Sequence, residues 1–290
     1  MLEGIFDALI DCLKMLPILY VTYLVMEYIE HHISERSEKM IRKVGKVGPL
    51  PGALVGLIPQ CGFSAAVAGL YAARVVTLGT MVAIFLSTSD EMLPILISES
   101  VPVSTIIKIL GIKLVCAMFF GFLTDIALST ARKLGFRSAE KHVRIHEICE
   151  REHCECEEKH NIFISALKHT MQIFVFVLIA SLIIEIIINL IGEDALGTII
   201  LNAPVAGELI AGLIGLIPNC AASVVLTELY LNSALSGGAL MSGLLAASGM
   251  GMLVLFRMNR NVKDNITILV MMYIFSVAAG LVIHMAGIVF

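Results

Sequence analysis

Charge is what this chain has least of. Only 15% of its residues are Asp, Glu, Lys or Arg, against about a quarter in a soluble domain. With 58% hydrophobic residues and a mean hydropathy of +0.92, the composition excludes a soluble globular protein and identifies an integral membrane protein. Polar residues are concentrated at 30–46, 129–161 and 257–265, so the net charge of −4 says little about partners. Other absences narrow the class further. No Walker motif or nucleotide domain is present, which excludes ATP-driven transport by this chain alone, and neither an HExxH element nor a Gly-x-Ser-x-Gly elbow appears. No small-residue cleavage site follows the first apolar block, which carries Asp11 and Lys14, so it reads as a retained helix rather than a signal peptide. The 7 cysteines do not form a disulfide framework, since Cys12, Cys61, Cys116 and Cys220 lie in apolar blocks and Cys149, Cys154 and Cys156 share one polar loop. All are expected to be thiols. The 15 methionines read as membrane packing rather than a copper relay.

What is present is a repeat. Gly56-Leu57-Ile58-Pro59-Gln60-Cys61 returns as Gly215-Leu216-Ile217-Pro218-Asn219-Cys220. The register then holds without a gap through Ser64/Ser223, Leu70/Leu229, Tyr71/Tyr230, Gly79/Gly238, Leu86/Leu245 and Ser89/Ser248. Shared apolar composition does not produce ungapped identities of this kind, whereas duplication of a membrane unit does. Apolar blocks of membrane-spanning length run over 5–29, 48–73, 75–98, 104–128, 162–190, 204–231, 235–256 and 265–289, with the same number in each half. The chain divides into a first membrane repeat at 1–128, a polar loop at 129–161 and a second membrane repeat at 162–290.

The basic loops assign sides. Arg36, Lys39, Arg42, Lys43 and Lys46, the central loop, and Arg257, Arg260 and Lys263 belong in the cytoplasm, while the stretches at 99–105 and 189–203 belong outside. The loop before the first motif is basic and the loop before the second is not, so the two halves are expected to be inverted. Blocks 48–73 and 75–98 must then cross a net odd number of times, which a re-entrant hairpin or two short passes broken at Pro59-Gln60-Cys61-Gly62 would achieve. The fold expected is all-α and polytopic, with two inverted repeats of about five passes each. Their Pro/Cys-broken helices meet near mid-membrane, with both termini outside and the central loop in the cytoplasm.

Three constellations carry chemistry. Paired broken segments in two halves point to a transporter's substrate site, here Gln60, Cys61 and Ser64 with Asn219, Cys220 and Ser223, joined by Ser89 and Ser248. Half-helix termini present partial charge, the amides donate and accept, and the thiolates are soft ligands; in the alternative, the cysteines are small apolar fillers. The second constellation is Ser87-Thr88-Ser89-Asp90-Glu91 inside an apolar block, with no acid at the matching place Ala247-Ser248-Gly249-Met250. An acid at mid-membrane costs at least about 2.5–3.5 kcal/mol, which makes Asp90 and Glu91 the ion-coupling and metal-ligating candidates. The alternative is a short solvated loop. The third is the central loop, where His142, His146, Cys149, His153, Cys156 and His160 fall along one helical face, with imidazole and thiolate suited to Zn(II) or softer ions. A solvated linker is the alternative there. Asp125 falls near the cytoplasmic loop, Glu185, Glu208 and Glu228 read as isolated, and Glu228 is carried away from the broken turn by two helical turns. Lys108 and Lys113 are expected near an interface or paired with an acid.

The runs Gly56–Ser64, Ser87–Pro94 and Gly215–Cys220 resemble those of the ten-helix heavy-metal exporter family, also labelled arsenic efflux proteins or manganese transporters. The resemblance covers nearly the whole chain. It implies a secondary efflux carrier for a metal or metalloid, with Gln60, Cys61, Asp90, Glu91, Asn219 and Cys220 at the signature positions. The reading is therefore a plasma-membrane exporter of a heavy-metal ion or metalloid, arsenical or Mn-like, working by alternating access with proton exchange. Its partners are the bilayer, the metal, and coupling H+ or Na+. No cofactor or nucleic acid is expected, and homo-oligomerisation stays open. The rival is an ion-coupled carrier of a small organic anion using the same broken-helix site. An enzyme fits poorly, because the membrane histidines His169 and His284 are remote from the motifs.

Overall fold

The computed structural model describes residues 47–58, 61–89, 92–133, 206–232, 234–288 and 290, with isolated positions between 10 and 24 and between 163 and 182. Among the described residues every regular element is a helix. The first half supplies α1 (Pro49–Gly56), α2 (Cys61–Ala72), α3 (Leu78–Ser87), α4 (Met92–Ser98) and α5 (Val103–Lys133). The second supplies α6 (Ala206–Gly215), α7 (Cys220–Leu231), α8 (Gly237–Ala246), α9 (Gly251–Met258) and α10 (Val262–Met285). Helix boundaries keep the register of the sequence repeat. Cys61 and Ala72 correspond to Cys220 and Leu231, Leu78 and Ser87 to Gly237 and Ala246, Met92 to Gly251, and Val103 to Val262.

Local chemistry explains why the boundaries coincide. Thr77 and Ser236 hold equivalent N-cap positions, and their hydroxyls accept the N–H of Thr80 and Ala239. Short oxygen-bearing side chains are favoured there because they satisfy amides that have no partner within the helix. Both helices end on the same bond as well, Thr88 N–H to Ile84 O and Ala247 N–H to Gly243 O, each 3.0 Å.

Packing repeats too. In the first half α3 packs against α1 and α5, and in the second α8 packs against α6 and α10. Two glycine pairs allow this closeness. A Cβ on Gly238 would lie 2.6 Å from the Gly280 carbonyl oxygen, and one on Gly280 would lie 2.6 Å from that of Gly238. Gly79 and Gly121 make the same reciprocal approach between α3 and α5. Where apolar lipid offers no hydrophobic drive for helix association, such backbone proximity is what gains dispersion energy.

Four helical stretches are long and apolar enough to cross a bilayer: Leu78–Ser98, Val103–Ala131, Gly237–Met258 and Val262–Met285. Their burial sorts them into layers. Leu78–Ser98 and Gly237–Met258 are 75% and 89% buried, so α3, α4, α8 and α9 form the centre. Val103–Ala131 and Val262–Met285 are 28% and 39% buried. They turn Ile107, Val115, Phe119 and Ile126, and Ile266, Val270, Ile274 and Val282, outward. Apolar faces of this extent suit lipid, not water.

The halves interlock through exchanged contacts: α2 packs on α9, α7 packs on α4, and α3 meets α8. A polar cluster fastens one of these junctions. Asp264 Oδ2 accepts from Tyr71 OH at 2.9 Å and from Asn259 Nδ2 at 3.2 Å, and Arg74 Nη2 lies 3.6 Å away. Asn259 also donates to Asn265 Oδ1 at 2.7 Å, and Asn265 Nδ2 returns a bond to Asn259 O at 3.0 Å. Arg74 reaches the carboxylate from a left-handed backbone conformation, φ 62°, which glycine would adopt without strain. Asp264→Ala should lower stability by about 3 kcal/mol, the cost of stranding the partners of a buried ion pair. Arg74→Gly should be less damaging than Arg74→Ala by about 1 kcal/mol, because it also relieves the backbone. Denaturation in mixed micelles measures both.

Candidate functional site

Pro218 sets the first boundary of the site. It has no N–H to continue α6, and its ring would clash with the carbonyl four residues back, so the chain turns through Leu216–Asn219. The turn is held by Leu216 N–H to Gly212 O, 3.2 Å, and Ile217 N–H to Ile214 O, 3.0 Å. Asn219 then enters α7 as its N-cap with extended backbone (φ −145°, ψ 151°), but its side chain makes no capping bond. That side chain lines a cavity instead.

The second boundary is the break between α3 and α4. Three hydroxyls turn back onto the last carbonyls of α3: Thr88 Oγ1 to Ile84 O at 2.7 Å, Ser87 Oγ to Ile84 O at 3.1 Å and Ser89 Oγ to Ser87 O at 3.0 Å. Side chains that bond to local backbone compete with the helix ladder, so a run of them ends the helix without water. Ser87, Thr88 and Ser89 are all buried, unlike the residues of a solvated loop. The equivalent break, Ala247–Met250, has only Ser248 to offer a hydroxyl, and Gly249 takes φ 53° there.

The two breaks and the start of α7 enclose a small cavity. Thr88 and Ser89 line it from the first half, Asn219, Ser223, Ala247 and Gly249 from the second, with Met92, Leu244 and Lys113 completing the wall. Its free volume is about 10 Å³, room for about one water-sized body.

Lys113 is the unexpected member. It is 1% exposed, in the first half of α5. Its ammonium donates to Thr88 O and, at 3.2 Å, to Leu244 O. Both carbonyls belong to helix ends, where the last oxygens have no intrahelical donor, so each half presents one acceptor to the same cation. The sequence held a signal for this residue: in the repeat register Lys113 stands opposite Met272, a charge that only one half carries.

Of the expected substrate residues, Ser89, Asn219 and Ser223 are brought together in the cavity wall. Ser64 and Ser248 are buried outside that wall. For Cys61 and Cys220 only the backbone is described, at the equivalent first residues of α2 and α7. Gln60, Asp90 and Glu91 lie outside the described residues, as do His146, Cys149, His153 and Cys156 of the central loop. Among the described residues, no group of three or more His, Cys, Asp or Glu side chains could hold a metal. Glu228 is exposed, away from the cavity, as its spacing from the broken turn implies.

Two further acids differ from their sequence reading. Asp125 is not merely a residue near a loop: its Oδ1 accepts Gly79 N–H at 2.9 Å and its Oδ2 accepts Thr77 OH at 2.8 Å, at the N-terminus of α3. A carboxylate there also meets the positive end of the helix dipole. Glu208 is not isolated either. It is 1% exposed, its Oε1 lies 2.7 Å from His284 Nδ1 and accepts from Ser236 at 3.2 Å, and its carbonyl accepts from Ser242 at 2.7 Å. Asp125 and His284 occupy equivalent positions, so each half places a carboxylate at the start of its central helix by a different route. Asp125→Ala should cost about 2 kcal/mol, since Gly79 N–H and Thr77 OH lose their acceptor; equilibrium unfolding in micelles measures it.

The sequence matches the family described as "Putative, 10TM heavy-metal exporter" in two overlapping segments, residues 5–190 and 134–256. No curated protein and no solved structure gives a match.

Proposed function

The chain belongs to this family of ten-pass heavy-metal exporters, and from that premise we propose that it is a secondary-active carrier that moves a heavy-metal ion or metalloid out across the plasma membrane in exchange for protons. The observation that carries the reading is the junction itself: equivalent breaks from the two halves meet around one buried polar cavity. A rigid scaffold has no use for unwound backbone in its most deeply packed layer, whereas a carrier needs polar groups there that both sides of the membrane can reach in turn.

In this reading the halves are inverted repeats, an arrangement supported by the opposite charge bias of the loops flanking the two motifs. Alternating access is the rocking of one half against the other about the α2–α9 and α4–α7 junctions. Cargo is held by Gln60, Cys61 and Ser64 of one half and Asn219, Cys220 and Ser223 of the other, with Ser89 and Ser248 beside them. Asp90 and Glu91 follow the buried Ser89 directly in the chain and exchange cargo for protons. The central loop lies in the cytoplasm, where His146, Cys149, His153 and Cys156 collect metal. Thiolates favour soft species, whereas carboxylate and amide oxygens favour Mn(II).

Metal-dependent proton flux in proteoliposomes tests this with arsenite, Mn(II) and Zn(II). Flux is expected with at least one of them, and Asp90→Asn/Glu91→Gln should reduce it by at least about tenfold, a loss of about 1.4 kcal/mol in transition-state stabilisation. Cys61→Ser/Cys220→Ser should abolish transport of soft species and spare Mn(II). Folded protein that gives no flux with any of the three sinks the exporter reading and leaves the organic-anion carrier.

A further inference from the structure

We propose that His284 and Glu208 form a proton-uptake port at the outer end of the second half, in which the imidazole takes a proton from outside and hands one on to the buried carboxylate. The proposal rests on the exporter reading, whose exchanged protons it gives a point of entry.

Depth separates the two residues. In that reading the basic residues Arg257, Arg260 and Lys263 are cytoplasmic, and α10 starts beside them and runs for 24 residues, about 36 Å. That exceeds a hydrocarbon core of about 30 Å, so His284, in the last turn of α10, reaches the outer interface. Its side chain is 41% exposed, whereas that of Glu208 is 1% exposed. Nδ1 and Oε1 lie 2.7 Å apart, a separation that a proton crosses without movement of either side chain. The imidazole is thus open on one side and joined to a buried acid on the other. The second carboxylate oxygen, Oε2, is buried and accepts no hydrogen bond. An ionised oxygen in that state costs free energy, and a proton on the carboxyl group relieves the cost.

The repeat shows that helix capping does not account for the pair. In the first half both oxygens of Asp125 are used, by Gly79 N–H and Thr77 OH. In the second half the cap residue Ser236 needs only Glu208 for the corresponding bond, at 3.2 Å, and the contact of His284 is to the carboxylate. Glu208 stands opposite Pro49 and His284 opposite Asp125, so the acid joined to a titratable ring belongs to one half alone. A carboxylate capped on one oxygen, bare on the other and bonded to imidazole exceeds what the scaffold requires.

The two ring nitrogens divide the work. A proton from outside binds the nitrogen that faces away from Glu208, and the Nδ1 proton crosses to Oε1. The ring is left neutral in its other tautomer and the carboxyl group neutral, so the pair has gained one proton. Of the helices packed against α6 and α10, α3 and α8 carry no ionisable side chain. Arg257 of α9 and Lys263 and Asp264 of α10 lie at the end of α10 opposite His284, and Tyr273 of α10 donates to Leu209 O. On α7, Cys220 is the first residue, Glu228 is exposed and Tyr230 OH donates to Phe290 O.

Full-length protein in proteoliposomes provides the test, with arsenite, Mn(II) and Zn(II) as cargo probes. Wild-type efflux should rise as the outer medium is acidified. Glu208→Gln keeps the shape and cannot take the proton; it should cut proton-driven efflux by about tenfold or more and flatten its dependence on outer pH, while exchange of labelled for unlabelled cargo at equal pH stays within about threefold of wild type. His284→Ala should behave alike, and imidazole added outside should restore its proton-driven efflux, which loss of a packing contact would not allow. If Glu208→Gln does not fold, the imidazole rescue decides alone. Folded variants that keep wild-type efflux and pH dependence would overturn the port, as would equal loss of efflux and exchange with no rescue by imidazole. Wild type that carries a probe regardless of outer pH would overturn the port and leave metal export standing. Wild type that carries none of the three would overturn the port together with the exporter reading.

Discussion

A helix that ends inside an apolar layer leaves carbonyl oxygens where no water can reach them, and the centre of this protein is organised by that constraint. The end of α3 is closed mainly by its own hydroxyls, with Ser87 and Thr88 folded back onto Ile84 O. The end of α8 has alanines at the two equivalent positions, Ala246 and Ala247, and takes a donor from another element. Lys113 supplies that donor and reaches Thr88 O with the same ammonium. One side chain on α5 thereby ties the central helices of both halves together, and the polar pocket beside it exists because the backbone groups there must be satisfied by protein.

Around that centre the two halves use one scaffold. The central helices start on the same hydroxyl cap and end on the same bond, and they approach their outer neighbours at the same glycines. Where backbones come within van der Waals distance no side chain fits between them, so the glycine register fixes how each central helix docks on its outer partner. The halves differ at several polar positions: Lys113 against Met272, Asp125 against His284, and the hydroxyl run at 87–89 against Ala246, Ala247 and Ser248.

Equivalent tyrosines are also fastened unequally. Tyr71 reaches Asp264 within a network that includes Arg74, Asn259 and Asn265, whereas its counterpart Tyr230 donates to a single backbone oxygen, that of Phe290, at 2.9 Å. A buried charged network is costly to separate because each partner left behind is unsatisfied, and one neutral hydrogen bond is not. The α2–α10 corner is thus fastened more firmly than the α7 end that mirrors it.

Sequence alone determined the membrane class, the repeated register, the helical content and the turn at Pro218. Each of these follows from local properties: apolar composition, an ungapped register, and a proline that denies the backbone its next hydrogen bond. Ser89, Asn219 and Ser223, singled out by the repeat, line one cavity. Lys113 was not legible as a lining residue, since a lysine within an apolar helix looks alike whether it snorkels to an interface or crosses to another helix. Glu208 looked isolated because its partners Ser236 and His284 are distant in the chain and near only after α6, α8 and α10 pack together. Tertiary structure decided which unsatisfied carbonyls face which donors, because that pairing depends on how closely the glycine-lined helices dock, a distance that no single segment encodes.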